Sequence, residues 1–126
     1  MAGERVLIIE DNEKNMKLVR DILQVMGYSP LEAFTGEQGL ALAAENDPAL
    51  VLMDIQLPDL DGAEALRRLR SDERTAGIPV LALTAQAMQG DRERFLAAGF
   101  DGYLSKPVDV DELIETVRRY CDGGTE

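Results

Sequence analysis

Five polar side chains stand at the ends of short apolar runs in this sequence, and together they could do chemistry that none could do alone. They are three carboxylates, a hydroxyl and an amine: Glu10, Asp11, Asp54, Thr84 and Lys106. In an open α/β fold, ligands bind outside the carboxyl ends of parallel strands, so these side chains would meet at one edge of a sheet. Such a set can hold a hard cation and a phosphoryl group together.

Asp54 could be the centre of that chemistry, because a carboxylate can attack phosphorus and form an aspartyl phosphate. The new phosphoryl group would carry up to two negative charges. Mg²⁺, the Thr84 hydroxyl and the Lys106 ammonium are suitable stabilisers of that charge. A cis bond before Pro107 would re-aim Lys106, although X-Pro bonds are more often trans.

Each of these residues also has an ordinary structural interpretation. Glu10 and Asp11 could cap the helix that follows them, near its positive end. Asp54 could be a solvated loop acid and Lys106 a surface lysine, since both types are mostly exposed. Thr84 could bind nearby backbone at the end of a strand. The combination of all five, at successive strand ends, favours the phosphoryl site.

The elements that would position these residues alternate along the chain. Short apolar runs and segments of helical period repeat about five times, which is typical of βαβ units. The sequence predicts a doubly wound, five-stranded parallel sheet, a flavodoxin-like (βα)5 fold. Glu10, Asp11 and Asp54 meet only if the first and third strands are neighbours, which favours the strand order 2-1-3-4-5.

Helical period and capping residues predict where single helices begin and end. A first helix is followed by Gly27 as its stop and has this apolar face: Leu18, Val19, Ile22, Leu23 and Met26. Capping boxes are predicted at Thr35 with Gln38 and at Asp109 with Glu112. The helix after Asp54 is predicted over residues 63–70, and the weakest strand over 29–33.

Composition narrows the functional classes. The 126 residues carry a net charge of −11, which disfavours nucleic acid and is compatible with a basic protein partner or divalent cations. The single cysteine, Cys121, provides no disulfide framework, and histidine is absent. No signal peptide or membrane-spanning apolar stretch is present, so we expect a cytoplasmic protein.

In this order and spacing, the motifs resemble the receiver domain of bacterial two-component response regulators. The resemblance covers residues 4–121, and residues 122–126 are predicted to be a flexible tail or the start of a linker. The matching segments are VLIIEDN at 6–12, MDIQLP at 53–58, DG at 61–62, LTA at 83–85 and KP at 106–107. The segments 12–18 and 53–58 are most similar to the single-domain DivK-like group.

The resemblance implies a role for each site residue. Asp54 would accept a phosphoryl group from a phosphohistidine of a sensor histidine kinase or a histidine phosphotransfer protein. Lys106 would pair with that group, and Thr84 would move to hydrogen-bond it. The Mg²⁺ ligands would be Glu10, which replaces the commoner Asp, with Asp11, Asp54 and the backbone carbonyl of Gln56.

The same resemblance implies how the signal would leave the site. Tyr103 matches the switch aromatic that moves inward with Thr84, although a strand tyrosine can equally be a half-buried sheet residue. Gln56 and Gln86 fall at positions that tune the lifetime of the phosphoryl group. The output surface would run from Met88 to Tyr120 and contact a downstream protein effector, with the chain a monomer or a phosphorylation-linked dimer.

The resemblance implies a signalling phosphoacceptor that assists its own phosphorylation and dephosphorylation, and three other functional classes are alternatives to it. A phosphatase of the haloacid-dehalogenase type needs Asp-x-Asp on the first strand, where this chain has Glu10-Asp11-Asn12. A flavin or nucleotide module needs a phosphate-binding Gly-rich loop or helix N-terminus. A pseudo-receiver that binds partners without phosphorylation is the alternative that the sequence leaves open.

Overall fold

Five strands and five helices alternate along the chain in the computed structural model, which describes residues 3–85 and 91–121. The strands are β1 (Arg5–Ile9), β2 (Ser29–Ala33), β3 (Leu50–Asp54), β4 (Val80–Thr84) and β5 (Gly102–Ser105). The helices are α1 (Glu13–Val25), α2 (Gly36–Asn46), α3 (Gly62–Ser71), α4 (Asp91–Ala98) and α5 (Val110–Cys121). Gln86, Met88 and the predicted tail at 122–126 lie outside the described residues.

The strands form one parallel sheet in the order β2-β1-β3-β4-β5, which confirms the predicted fold and strand order. In the register, Asp54 is opposite Leu83 on β4, and Thr84 is opposite Ser105 on β5. The carboxyl ends of β3, β4 and β5 are therefore level, and the polar residues that end them share one edge.

Helices cover both faces of the sheet, as a doubly wound fold requires. One hydrophobic cluster packs α2, α3 and α4 against one face, and a second packs α1 and α5 against the other. Every residue of β3 and β4 is buried. Strands covered on both faces need continuous apolar runs, which explains why these two have the least polar sequences before their final residue.

The helix boundaries agree with the predictions to within a residue, with differences in detail. α1 ends before Gly27, which has a φ of 95°. Its Leu18 is 38% exposed, so it lies at the margin of the apolar face and not in the core. α3 starts one residue earlier and ends one residue later than predicted.

The two predicted capping boxes are each half formed. Thr35 accepts a hydrogen bond from the Gln38 N–H at 3.1 Å, but the Gln38 side chain accepts from the Phe34 N–H and not from that of Thr35. Asp109 accepts from the Glu112 N–H at 3.1 Å. Among the described residues, no helix has the length and apolar character needed to cross a membrane.

Candidate functional site

The three predicted carboxylates meet beyond the ends of β1 and β3. One oxygen each from Glu10, Asp11 and Asp54 can be chosen so that all three lie within 4.8 Å of one another. Glu10 is only 1% exposed and Asp54 6%, whereas Asp11 is exposed to solvent. The cluster therefore has two buried acids at its base and one acid at its mouth.

Lys106 directly follows β5, the edge strand of the sheet, and its side chain extends to this cluster. Its Nζ lies 2.9 Å from Asp54 Oδ2 and 2.8 Å from Glu10 Oε1, and its side chain is 16% exposed. The Lys106–Pro107 peptide bond is cis, the form considered for a re-aimed lysine. A single ammonium thus contacts both buried carboxylates, and the surface-lysine interpretation is wrong.

Backbone N–H groups hold the remaining oxygens of the two buried acids. The Gln56 N–H donates to Asp54 Oδ1 at 2.9 Å, and the Asn12 N–H donates to Glu10 Oε2 at 3.1 Å. Both carboxylates are therefore fixed in orientation from two sides. The cap of α1 is Asn12, whose side chain accepts from the Asn15 N–H, so the capping interpretation of Glu10 and Asp11 is not supported.

The electrostatics of the cluster are unbalanced. Three carboxylates against one ammonium leave two uncompensated negative charges. Burial raises the pKa of the Glu10 carboxyl above its ordinary value, although Lys106 and the Asn12 N–H oppose that shift. Burial alone would lower the pKa of the Lys106 ammonium, but its contacts with Glu10 and Asp54 outweigh burial and raise it. The lysine is therefore charged at neutral pH.

The cluster fits a small divalent cation on three grounds of chemistry and geometry. Its donors are hard carboxylate oxygens, which Mg²⁺ prefers. They are close enough to share one ion, and the charge that they leave uncompensated is that of one divalent cation. Glu10 Oε1 is buried, and the Lys106 ammonium lies 2.8 Å from it as an ion-pair partner.

Thr84 is the last residue of β4, and Tyr103 lies on the neighbouring strand β5. Thr84 is buried, and its backbone carbonyl accepts from the Lys106 N–H at 2.8 Å, which fixes the point where the lysine leaves the sheet. Tyr103 is half-buried, with its ring centroid 5.6 Å from that of Phe95 on α4. The half-buried sheet interpretation of Tyr103 therefore describes this conformation.

Sequence reasoning missed two polar residues beside the site. Asn12 caps α1, and an Asn directly before a helical period was a usable signal for it. Asp59, in the loop after β3, accepts hydrogen bonds from the N–H groups of Gly36 and Glu37 at the start of α2. These partners are more than twenty residues away in sequence, so no local pattern indicates the contact.

Comparisons with known proteins agree with this geometry. Residues 6–118 match the family described as the response regulator receiver domain. The polar-differentiation response regulator DivK of Brucella ovis is 48% identical over 115 residues, which are 91% of this chain and 94% of DivK.

Two solved structures are similar over nearly the whole chain. The receiver domain of the sensor histidine kinase PA1611 from Pseudomonas aeruginosa, with a magnesium ion coordinated in its active-site cleft, is 38% identical with a TM-score of 0.86, covering 95% of this chain and 98% of that one. A co-crystal structure from Saccharomyces cerevisiae, of the phosphotransfer protein Ypd1 and the receiver domain of Ssk1, matches at 29% identity and a TM-score of 0.85, covering 95% and 90%.

The match to the family covers β1 from Val6 onward, the other four strands and α5 as far as Arg118, so it includes every strand end that contributes to the carboxylate cluster. We conclude that this chain belongs to the response regulator receiver domain family.

Proposed function

We propose that the chain is a phosphorylation-switched signalling module in which Asp54 is the phosphoacceptor. The donor is a phosphohistidine on a sensor histidine kinase or a histidine phosphotransfer protein. The observation that carries the proposal is the setting of Asp54, whose two oxygens are held by Lys106 and by the Gln56 N–H within a cluster of acids. This arrangement orients a nucleophile and supplies a cation beside it.

The transfer needs no general base, because a carboxylate nucleophile has no proton that must be removed. One carboxylate oxygen forms a bond to phosphorus, and the phosphorus–nitrogen bond breaks with its electron pair going to the imidazole nitrogen. Lys106 offsets the charge of the phosphoryl oxygens, since its Nζ already lies beside Asp54 Oδ2. The buried Thr84 hydroxyl then hydrogen-bonds the new acyl phosphate.

Mg²⁺ is the proposed cofactor, held by Glu10, Asp11, Asp54 and the backbone carbonyl of Gln56. When bound, it supplies positive charge to the phosphoryl oxygens. The buried Glu10 and Asp54 provide fixed ligands, and the exposed Asp11 provides one at the entrance. The magnesium ion in the PA1611 receiver domain supports this assignment.

The proposed output is a change in protein–protein contacts. Movement of Thr84 toward the phosphoryl group would let Tyr103 turn inward, and the surface from residue 88 to Tyr120 would respond. The partners are a kinase or phosphotransfer protein and a downstream protein effector, with no nucleic acid involved. The match to the Ypd1–Ssk1 complex supports the phosphotransfer partner. Residues 4–121 would act as one domain.

Intact-mass spectrometry after incubation with acetyl phosphate tests this function. We expect a Mg²⁺-dependent gain of one phosphoryl group, about 80 Da, in the wild type and none in Asp54→Asn. Because that substitution keeps the shape of the side chain, it removes the nucleophile with little change in packing. No gain in the wild type under any condition would instead indicate a pseudo-receiver that binds partners constitutively.

A further inference from the structure

The loop between β3 and α3 is hydrogen-bonded to the N-terminus of α2 through the carboxylate of Asp59. Asp59 Oδ1 accepts from the Gly36 N–H at 2.7 Å, and Asp59 Oδ2 accepts from the Glu37 N–H at 2.9 Å. The first N–H groups of a helix have no partner within the helix, so this carboxylate satisfies two of them. These bonds, from Glu37 and then Gly36, also hold the pKa of Asp59 below its ordinary value.

Apolar packing of Leu60 against Gly36 brings the loop close to α2 at the same point. A Cβ atom at Gly36 would lie 2.9 Å from Leu60 Cδ1, 3.1 Å from Leu60 Cβ and 3.2 Å from Asp59 Oδ1. The absence of a side chain at Gly36 is therefore what lets the loop approach α2 so closely. Two consecutive loop residues, one charged and one apolar, fix the distance between the loop and this helix.

The same loop contains Gln56, whose backbone N–H holds the side chain of Asp54. Gln56 donates its N–H to Asp54 Oδ1 and forms an isolated antiparallel bridge with Asp61. The Gly62 N–H donates to the Ile55 carbonyl at 3.0 Å, which closes the loop at its base. Residue 59 is therefore part of a short closed turn, and its displacement would be passed to Gln56 across the bridge.

We propose that Asp59 is a positioning residue, which hydrogen-bonds the N-terminus of α2 and thereby holds the Gln56 backbone against Asp54. The proposal rests on the proposed function in one respect, that Asp54 is the atom group being positioned for phosphorylation. Asp59 hydrogen-bonds α2, so it would act on Asp54 through the loop. Its effect is to keep the Gln56 N–H aimed at Asp54 Oδ1 and the neighbouring Gln56 carbonyl within reach of the cation site.

Two variants separate positioning from simple loss of a helix cap. Asp59→Ala removes the two hydrogen bonds between the loop and α2. Thr35→Ala removes only the capping bond to the Gln38 N–H at the same end of α2. In nitrogen–proton correlation spectra of the unphosphorylated protein without Mg²⁺, the Gln56 amide proton should move upfield in Asp59→Ala only. Asp59→Asn keeps one acceptor oxygen and should restore part of the wild-type shift.

The rate of labelling by acetyl phosphate is the second readout. Residues that orient the ligands of a metal site typically contribute 10-fold to 100-fold to affinity or activity, so we expect a loss of roughly that size in Asp59→Ala and near wild-type labelling in Thr35→Ala. Gly36→Ala should slow labelling as well, because the new Cβ atom on α2 would push Leu60 and the loop away from the helix.

Three results would overturn the positioning role. They are an unshifted Gln56 amide in Asp59→Ala, an unchanged labelling rate in that variant, and an equal slowing in Thr35→Ala. A wild type that acetyl phosphate does not label would contradict the proposed function instead. In that case the Gln56 amide shift alone would still decide whether Asp59 holds the loop.

Discussion

The ammonium of Lys106 lies 2.8 Å from Glu10 Oε1, although the two residues follow strands that are three positions apart in the sheet. The sequence assigned Lys106 to the phosphoryl group and Glu10 to the cation. In the structure, the lysine contacts both Glu10 and Asp54. This ion pair compensates the charge of a buried carboxylate.

Replacing Lys106 by Met should therefore leave two buried carboxylates without their common partner. In EDTA we expect a loss of about 1–3 kcal/mol in the free energy of unfolding, the typical cost of an unsatisfied buried polar group. Mg²⁺ binding should persist and stabilise the variant more than the wild type, while labelling by acetyl phosphate should be impaired. Urea unfolding with and without Mg²⁺ measures this. Wild-type stability together with wild-type labelling would show that Lys106 has neither role.

Asp11 offers the cleanest test of the cation site, because it is exposed and its substitution should not disturb packing. A ligand at 100 times its Kd stabilises a folded protein by about 2.7 kcal/mol. At a Mg²⁺ concentration that gives the wild type such a gain, Asp11→Asn should gain clearly less. Glu45→Gln, an exposed acid on α2, is the matched control and should respond like the wild type. Equal gains in all three proteins would exclude Asp11 as a ligand.

Glu10 should give stability an unusual dependence on pH. Burial raises its pKa in the folded protein, so the folded state holds this proton more tightly than the unfolded state does. Its contribution is therefore full below the ordinary value of 4.5 and is lost as pH rises through the raised folded pKa. In EDTA, Glu10→Gln should gain stability relative to the wild type as pH rises across this window. Urea unfolding at successive pH values that shows a constant or shrinking difference would contradict this.

Gly62 should be intolerant of a side chain, since a Cβ atom there would lie 2.8 Å from the Ile55 Cα. The clash is with backbone and forces the loop after Asp54 to shift. We expect Gly62→Ala to lower the free energy of unfolding by about 1–3 kcal/mol, as overpacking usually does. Gly77→Ala is the control, because nothing lies within 4 Å of its Cβ position. Chemical denaturation that shows equal effects for both would refute the close approach.

The positions of the site residues could be predicted because the signals that place them are local. Apolar runs that end in Glu10, Asp54 and Thr84 define both the strands and their ends, and parallel strands bring such ends to one edge. The alternation of strands and helices then determines the class of fold. For these reasons, the strand order and the convergence of the carboxylates followed from the sequence.

Contacts between distant side chains could not be predicted in the same way. The Lys106–Glu10 ion pair depends on how far one side chain reaches across two strands, and the Asp59 contact with α2 depends on the path of a loop. The exposure of Leu18 depends on how α1 is rotated against the sheet. Helical period defines an apolar face but not its margins, which are set by the neighbouring elements.

The measurement that tests the central claim most directly is the location of the phosphoryl group within the chain. After incubation with acetyl phosphate and Mg²⁺, borohydride would reduce an aspartyl phosphate to homoserine, which peptide mass spectrometry can place. We predict homoserine at position 54 and at no other acidic position, with none when Mg²⁺ is replaced by EDTA. Reduction at another acid, or none at position 54 in a protein that has gained a phosphoryl group, would contradict the assignment of Asp54 as the phosphoacceptor.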